Sequence, residues 1–239
     1  MDLKEAIGLR TSRRAYLEMP VSSSKLDLLR DLINKYNTIS GLSIQLIENA
    51  SVAFKGMKKS YGIFKGVRTI IAMKSNVSVE CYKEKLGYYG EYIVLEATAL
   101  GLGTSWVGGT FDKKSKIFNI GKDEELVCVI TVGNTTDNPS FKENMIRRMS
   151  RGKTKSLDHY YTSDVTPPDW FLEGIKAVQS APSALNRQRY KFEYNNGIIS
   201  AVSEDSSTYD LIDFGIAKAH FIIACGGSFE FGNPSIYSR

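Results

Sequence analysis

The sequence predicts an α+β fold made of two unequal halves. Three observations carry that prediction: two long, almost uniformly apolar helical patterns at 86–100 and 209–225, short apolar runs bounded by turn residues that read as strands, and a likeness between the two helical segments. A helix apolar around most of its circumference has to be buried. Neither half is large enough to bury one alone, so the two are expected to pack against each other. A chain of 239 residues, 42% hydrophobic and 24% charged, has the material for one large domain or two small ones.

Residues 2–9 read as a short helix with Leu3, Ala6 and Ile7 on one side, and Arg10 to Tyr16 follow as a basic turn. A second helix is expected near 23–36, opened by the capping serines Ser22 to Ser24 and striped by Leu26, Leu29, Leu32 and Ile33. Residues 43–47 alternate like a strand, and Val67 to Met73 forms a second apolar run. The pattern at 86–100 carries charge only at Glu91 and Glu96 and stops at Gly101 and Gly103. Glycine takes positive φ cheaply and so ends helices. Leu126 to Val132 is a third strand, closed by Gly133-Asn134.

From 142 to 165 the composition changes, with Arg147, Arg148, Arg151, Lys153 and Lys155 close together, and Pro167-Pro168 marks a joint. Beyond it come a helix at 169–179, a turn at 180–188, a strand at 189–194, a hairpin at Asn195-Asn196-Gly197, a return strand at 198–203 and the helix at 209–225. The expected organisation is a first half at 1–141, a basic linker at 142–168 and a shortened second half at 169–239. Gly87 to Ala97 can be laid against Gly215 to Cys225, which reads as an internal duplication.

Composition narrows the function. A net charge of +5 favours anionic ligands such as phosphates and is weak evidence for nucleic acid, whose binders concentrate charge on one element. The first residues do not read as a signal peptide, and no run suits a membrane span. Cys81, Cys128 and Cys225 are far apart, and with two histidines a zinc site is not expected. The expected compartment is the cytoplasm. His220, within an apolar helix, reads as a core residue, and no nucleophile, base and orienter set is apparent.

Three constellations carry chemistry. In Arg10-Thr11-Ser12-Arg13-Arg14-Ala15-Tyr16, two guanidiniums four apart with a hydroxyl between them can surround a phosphate through charge-assisted hydrogen bonds. Alone, the segment reads first as a solvated basic turn after a helix. Ser180 to Phe192, with Pro182, Ser183, Asn186 and Gln188, offers small polar side chains beside exposed amides, suited to a flat heterocycle with alternating donors and acceptors, or to an ordinary polar loop. Gly101 to Gly109 includes glycines that let backbone approach a ligand closely, with Trp106 either near a ring system or in the core.

Together, these segments resemble the nitroreductase family. Arg10 to Tyr16 is similar to its Arg-x-Ser-x-Arg-x-aromatic phosphate motif, Ala181 to Phe192 to its Ala-Pro-Ser-x-x-Asn-x-Gln-Pro-Trp-x-Phe segment, and Gly87 to Gly109 to its long central helix followed by Gly-Leu-Gly-Thr-x-Trp-x-Gly-Gly. The resemblance implies a three-layer fold with antiparallel-rich sheets packed by long helices. It also implies an FMN cofactor, NAD(P)H as hydride donor, and a small acceptor such as a nitroaromatic, a quinone or a flavin. No side chain is assigned as catalytic acid or base.

The order of motifs departs from the family. Its Pro-Ser-x-x-Asn loop ordinarily follows soon after the arginine motif, and its members are homodimers with flavin sites at the subunit interface. Here Thr38 to Ser43 lacks that loop, which appears at 181–188 instead. The resemblance therefore implies a monomeric intramolecular pseudodimer with one flavin site. Arg10, Ser12, Arg14, Gly108 and Gly109 would come from the first half, and Pro182, Ser183, Asn186 and Gln188 from the second. Arg151 and Lys153 resemble the family's basic element that closes on the FMN phosphate, although Ser156 replaces its proline and a solvated linker is the other reading. Arg189 and Tyr190 replace the Pro-Trp pair. An acceptor pocket is expected within 55–66, near Lys55, Tyr61, Phe64 and Lys65. A flavin-binding or storage protein without efficient turnover is the rival reading.

Overall fold

The computed structural model describes residues 1–54, 63–151, 155–204 and 207–239. Along the chain these form α1 (Leu3–Leu9), α2 (Ser23–Ser40), β1 (Gln45–Ile47), β2 (Thr69–Asn76), α3 (Tyr82–Ala99), β3 (Gly103–Val107), β4 (Glu124–Gly133), α4 (Phe141–Arg151), β5 (Tyr161–Ser163), α5 (Asp169–Gln179), β6 (Tyr190–Asn195), β7 (Ile198–Ser203), α6 (Thr208–Cys225), β8 (Ser228–Phe229) and β9 (Ser235–Ser238). The fold is α+β, with one sheet in the order β1-β2-β4-β3 and another in the order β5-β6-β7-β9-β8. Every pairing is antiparallel except β5 with β6.

The first sheet is covered on both faces. Side chains alternate across a strand, so Ile71 and Met73 of β2 join the core under α2 and α3, while Ile70 and Ala72 join a second cluster with Phe111 and Phe118. The second sheet packs on α5 and α6 through an aromatic core, where Phe192 and Phe221 stack at 5.2 Å. At the β6–β7 hairpin Asn196 and Gly197 both take positive φ, the geometry that suits a two-residue turn to the strand twist.

Between the two sheets α3 crosses α6, and the crossing is made by the two glycines that the sequence alignment superposes. A Cβ on Gly87 would lie inside van der Waals contact of the Ile212 carbonyl oxygen, and one on Gly215 would meet the Glu84 carbonyl in the same way. The contact is reciprocal, since the alignment also places Glu84 on Ile212. Without side chains at the crossing, the two backbones touch.

The structure departs from the sequence reading mainly where charges are buried. Helix α3 begins at Tyr82 rather than 86, because Glu84 is drawn into the core by Lys218 of α6, whose ammonium also donates to Ser235 Oγ at 2.8 Å. Strand β2 runs to Asn76 because Lys74 is buried against Glu124, 2.7 Å away. Gly103 to Val107 forms an edge strand, which the sequence reading did not assign. The basic stretch read as a linker contains α4, and β5 follows it in the second sheet.

Candidate functional site

A cavity of about 860 Å³ lies where the arginine turn, the end of β3, the 180–188 loop and the first turns of α6 converge. Arg10, Ser12, Arg14, Gly108, Gly109, Pro182, Ser183, Asn186 and Gln188 all line it. Two segments some 170 positions apart in sequence thus share one cleft. The side chain of Arg151, together with Lys153, Lys55 and Tyr61, lies outside the described residues. Phe64 lines the cavity, whereas Lys65 uses its backbone, donating to Arg14 O at 2.9 Å and accepting from Tyr16 N at 2.9 Å.

The arginine turn is extended, so successive side chains diverge. Ser12 bridges Thr104 of β3, and the Arg13 N–H donates to Thr104 O at 2.7 Å. Ser12 and Arg14 line the cavity, while Arg13 turns into the protein and donates to Thr135 Oγ1 and Thr136 O, both at 2.9 Å. Arg10 is held near Glu91, Nε to Oε1 3.7 Å. Glu91 is fully buried and also accepts from Trp106 Nε1 and meets His220 Nε2, both at 2.9 Å, so Trp106 serves both core and cavity wall. Among the described residues no carboxylate forms an ion pair with Arg14. Burial pulls its pKa below the usual guanidinium value, against the field of Glu143, and an anion in the cavity would relieve that desolvation.

The late loop is shaped by its backbone. Leu185, Asn186 and Gln188 all take positive φ. Among the described residues Ser183 Oγ, which is buried, has no hydrogen-bond partner, and a ligand could satisfy it. Gln188 behaves otherwise: its Oε1 accepts from Tyr160 at 2.8 Å and its Nε2 donates to Gln179 O at 3.3 Å, so its amide holds the loop shape. The two glycines after β3 also differ. A Cβ on Gly108 would stand 2.9 Å from the Tyr209 ring, whose hydroxyl donates to Gly108 O at 2.7 Å. Gly108 is glycine because Tyr209 packs on it. A Cβ on Gly109 would meet no atom within 4 Å, so open space adjoins the backbone there.

With this geometry in view, a family model described as "Putative TM nitroreductase" matches residues 2–225. The chain belongs to that nitroreductase family. It is accordingly a nitroreductase-family oxidoreductase. Among solved structures, a "putative nitroreductase" from Thermotoga maritima is 23% identical, with a TM-score of 0.65 over 99% of this chain and 93% of that one. A "Putative NADH Oxidase" from Clostridium acetobutylicum is 22% identical, covering 56% of this chain and 89% of that one with a TM-score of 0.45. An "FMN-dependent Nitroreductase" from Clostridium difficile is 17% identical, covering 57% and 90% with a TM-score of 0.44. No curated protein matches the chain. No helix of this nitroreductase-family chain, among the described residues, is long and apolar enough to cross a membrane.

Two acids escaped the sequence reading. Glu143, on α4, accepts from the Arg14 and Ala15 backbone at 2.6 and 3.1 Å and pairs with Arg13 Nε at 3.3 Å. It fastens α4 to the arginine turn. Burial alone would raise its pKa, but the Arg14 and Ser140 hydrogen bonds outweigh that and hold it at about 2. A carboxylate depressed from an ordinary ~4.3 contributes stability above that value and loses it as pH falls toward 2, here about 3 kcal/mol. Urea melts at pH 7 and pH 3 should therefore show Glu143→Gln less stable than the native chain at pH 7, with the gap roughly halved at pH 3. A gap of equal size at both would disprove this role. The second acid is Asp213 on α6, which is 4% exposed and lines the cavity.

Proposed function

We propose that the chain is an FMN-dependent oxidoreductase that takes hydride from NAD(P)H and passes it to a small acceptor, a nitroaromatic, a quinone or a flavin, in a ping-pong sequence. The observation that carries this reading is the shared cavity of the arginine turn and the Pro182–Gln188 loop. The residues suit FMN on their own chemistry: a desolvated guanidinium at Arg14 for the phosphate, an unpartnered buried hydroxyl at Ser183, and open space beside Gly109. Arg10, Ser12 and Arg14 would hold the phosphate end. Pro182, Ser183 and Asn186 would hold the heterocycle, with Gln188 stiffening their loop and Gly108 seating Tyr209. Arg151 and Lys153 are proposed to close on the phosphate. When bound, the cofactor supplies the hydride-transfer chemistry. The protein binds and orients it and places positive charge beside it.

The proposed division is a first half at 1–141, a connecting segment at 142–168 and a second half at 169–239, acting together as an intramolecular pseudodimer, monomeric and cytoplasmic, with one FMN per chain. The reciprocal glycine crossing supports the duplication. The twin position on α3 supports the single site. The alignment that puts Gly87 on Gly215 puts Lys85 on Asp213 and Tyr88 on Ile216. There the C-terminal segment covers the helix: Phe231 packs 5.5 Å from Tyr88, Lys85 lies over Phe231, and the Gly232 N–H donates to Glu84 at 2.9 Å.

Reconstitution with excess FMN followed by desalting should leave one flavin per 26.6 kDa chain, and NADH or NADPH should bleach it under argon. A flavin-to-protein ratio near two contradicts the single site, a colourless protein contradicts the flavin reading, and bound flavin that neither nicotinamide bleaches marks a storage protein.

A further inference from the structure

Asp213 has no role in the site as read from the sequence, yet the structure sets it at the cavity wall. It lies on the first turns of α6, 4% exposed, and its Oδ2 accepts from the Ala184 N–H at 2.8 Å. Among the described residues its other oxygen, Oδ1, has no hydrogen-bond partner. Ala184 adjoins Ser183, whose buried Oγ is also without one. The carboxyl therefore tethers the loop and keeps one polar atom for whatever fills the cavity.

The charges around it do not favour an anion there. Burial is the main influence on Asp213, and Asp210 on the same helix adds repulsion; Arg187 of the loop and the Ala184 N–H oppose them only in part. Tyr190 of β6 and Cys128 of β4, which feel its charge, are buried and have their own pKa values pushed up. The result is a carboxyl titrating at about 8 and neutral at pH 7. A neutral acid with one oxygen already accepting can donate from the other.

Resting on the flavin reading above, we propose that Asp213 is a positioning residue of the cofactor site: it anchors the Ser183–Asn186 loop through Ala184 and donates a hydrogen bond from its second oxygen to a carbonyl oxygen of the bound flavin. Ionisation removes the donor and sets an anion against the carbonyl. If only the neutral form binds well, affinity falls in step with the neutral fraction, by about tenfold between pH 7 and pH 9.

The test is an equilibrium titration of the full chain with FMN, read by quenching of flavin fluorescence at pH 6.5, 7, 8 and 9. The native chain should bind about tenfold more weakly at pH 9 than at pH 7. Asp213→Asn can still accept from Ala184 and donate into the cavity, so it should bind at pH 7 within about threefold of the native chain and show little change with pH. Asp213→Ala should lose affinity at pH 7 while keeping its fold, checked by circular dichroism. A native Kd that is flat with pH, or a slope that persists in Asp213→Asn, overturns the positioning role while leaving the flavin site standing. A native chain that binds no FMN at any pH overturns both.

Discussion

An alanine at Gly87 or at Gly215 is expected to destabilise the chain by about 3 kcal/mol or more, among the largest effects of adding one methyl group anywhere in it. In an ordinary helix the same change gains about 1 kcal/mol, because alanine is the better helix former. Here each new methyl would press on a backbone carbonyl of the opposite helix, Ile212 for Gly87 and Glu84 for Gly215, and backbone cannot rotate aside as a side chain can. Moving α3 from α6 would also strain the buried Glu84–Lys218 pair, which spans the same crossing. Gly8 is the control: it sits in α1, and a methyl there would meet no atom within 4 Å, so Gly8→Ala should be neutral or slightly stabilising. Thermal melts of the three variants decide the matter. If Gly87→Ala and Gly8→Ala melt together, the helices do not cross at their glycines.

Loss of the Arg14 guanidinium is expected to weaken FMN binding by about 2 kcal/mol, roughly thirtyfold, the usual scale for one charge-assisted hydrogen bond. Arg14 should matter more than Arg10, whose guanidinium already neighbours Glu91, while the Arg14 guanidinium is desolvated and, among the described residues, forms no ion pair. Arg14→Lys should recover only part of the affinity, because an ammonium cannot grip two phosphate oxygens in one plane. Riboflavin separates charge recognition from collapse of the turn. It has no phosphate, so Arg14→Ala should leave its binding nearly unchanged. Equal losses for FMN and riboflavin would mean that Arg14 shapes the cavity and does not read the phosphate.

Much of the framework was legible in the chain. Helices α1, α5 and α6, the start of α2 and the β6–β7 hairpin fall close to where apolar spacing and Asn-Gly put them, since these signals act over a few residues, but Ser22 makes no side-chain cap hydrogen bond and α2 runs on to Ser40. The arginine turn and the proline-serine loop were also legible, through their order of residue types. What escaped shares one character. Glu84, Lys74, Glu143 and Asp213 are charged residues that any reading of polarity sends to the surface, yet all four are buried. Glu84 is held by Lys218, Lys74 by Glu124, and Glu143 by Arg13 and backbone amides, while Asp213 rests on the Ala184 amide. Apart from the Ser140 amide beside Glu143, those partners lie from 29 to 134 positions away, beyond the reach of any local pattern.

By itself, then, the sequence determined the mixed class and most of the elements, though not β3, α4, β5, β8 or β9, and it marked out the arginine turn and the proline-serine loop. Only the tertiary structure decided that those segments face one cavity, that Gly108 serves Tyr209, that the Gln188 amide is spent on its own loop, and that an acid at Asp213 completes the wall. Local backbone preference is written in neighbouring residues, whereas the protonation and orientation of a buried group depend on which distant atoms the fold brings within about 3 Å of it.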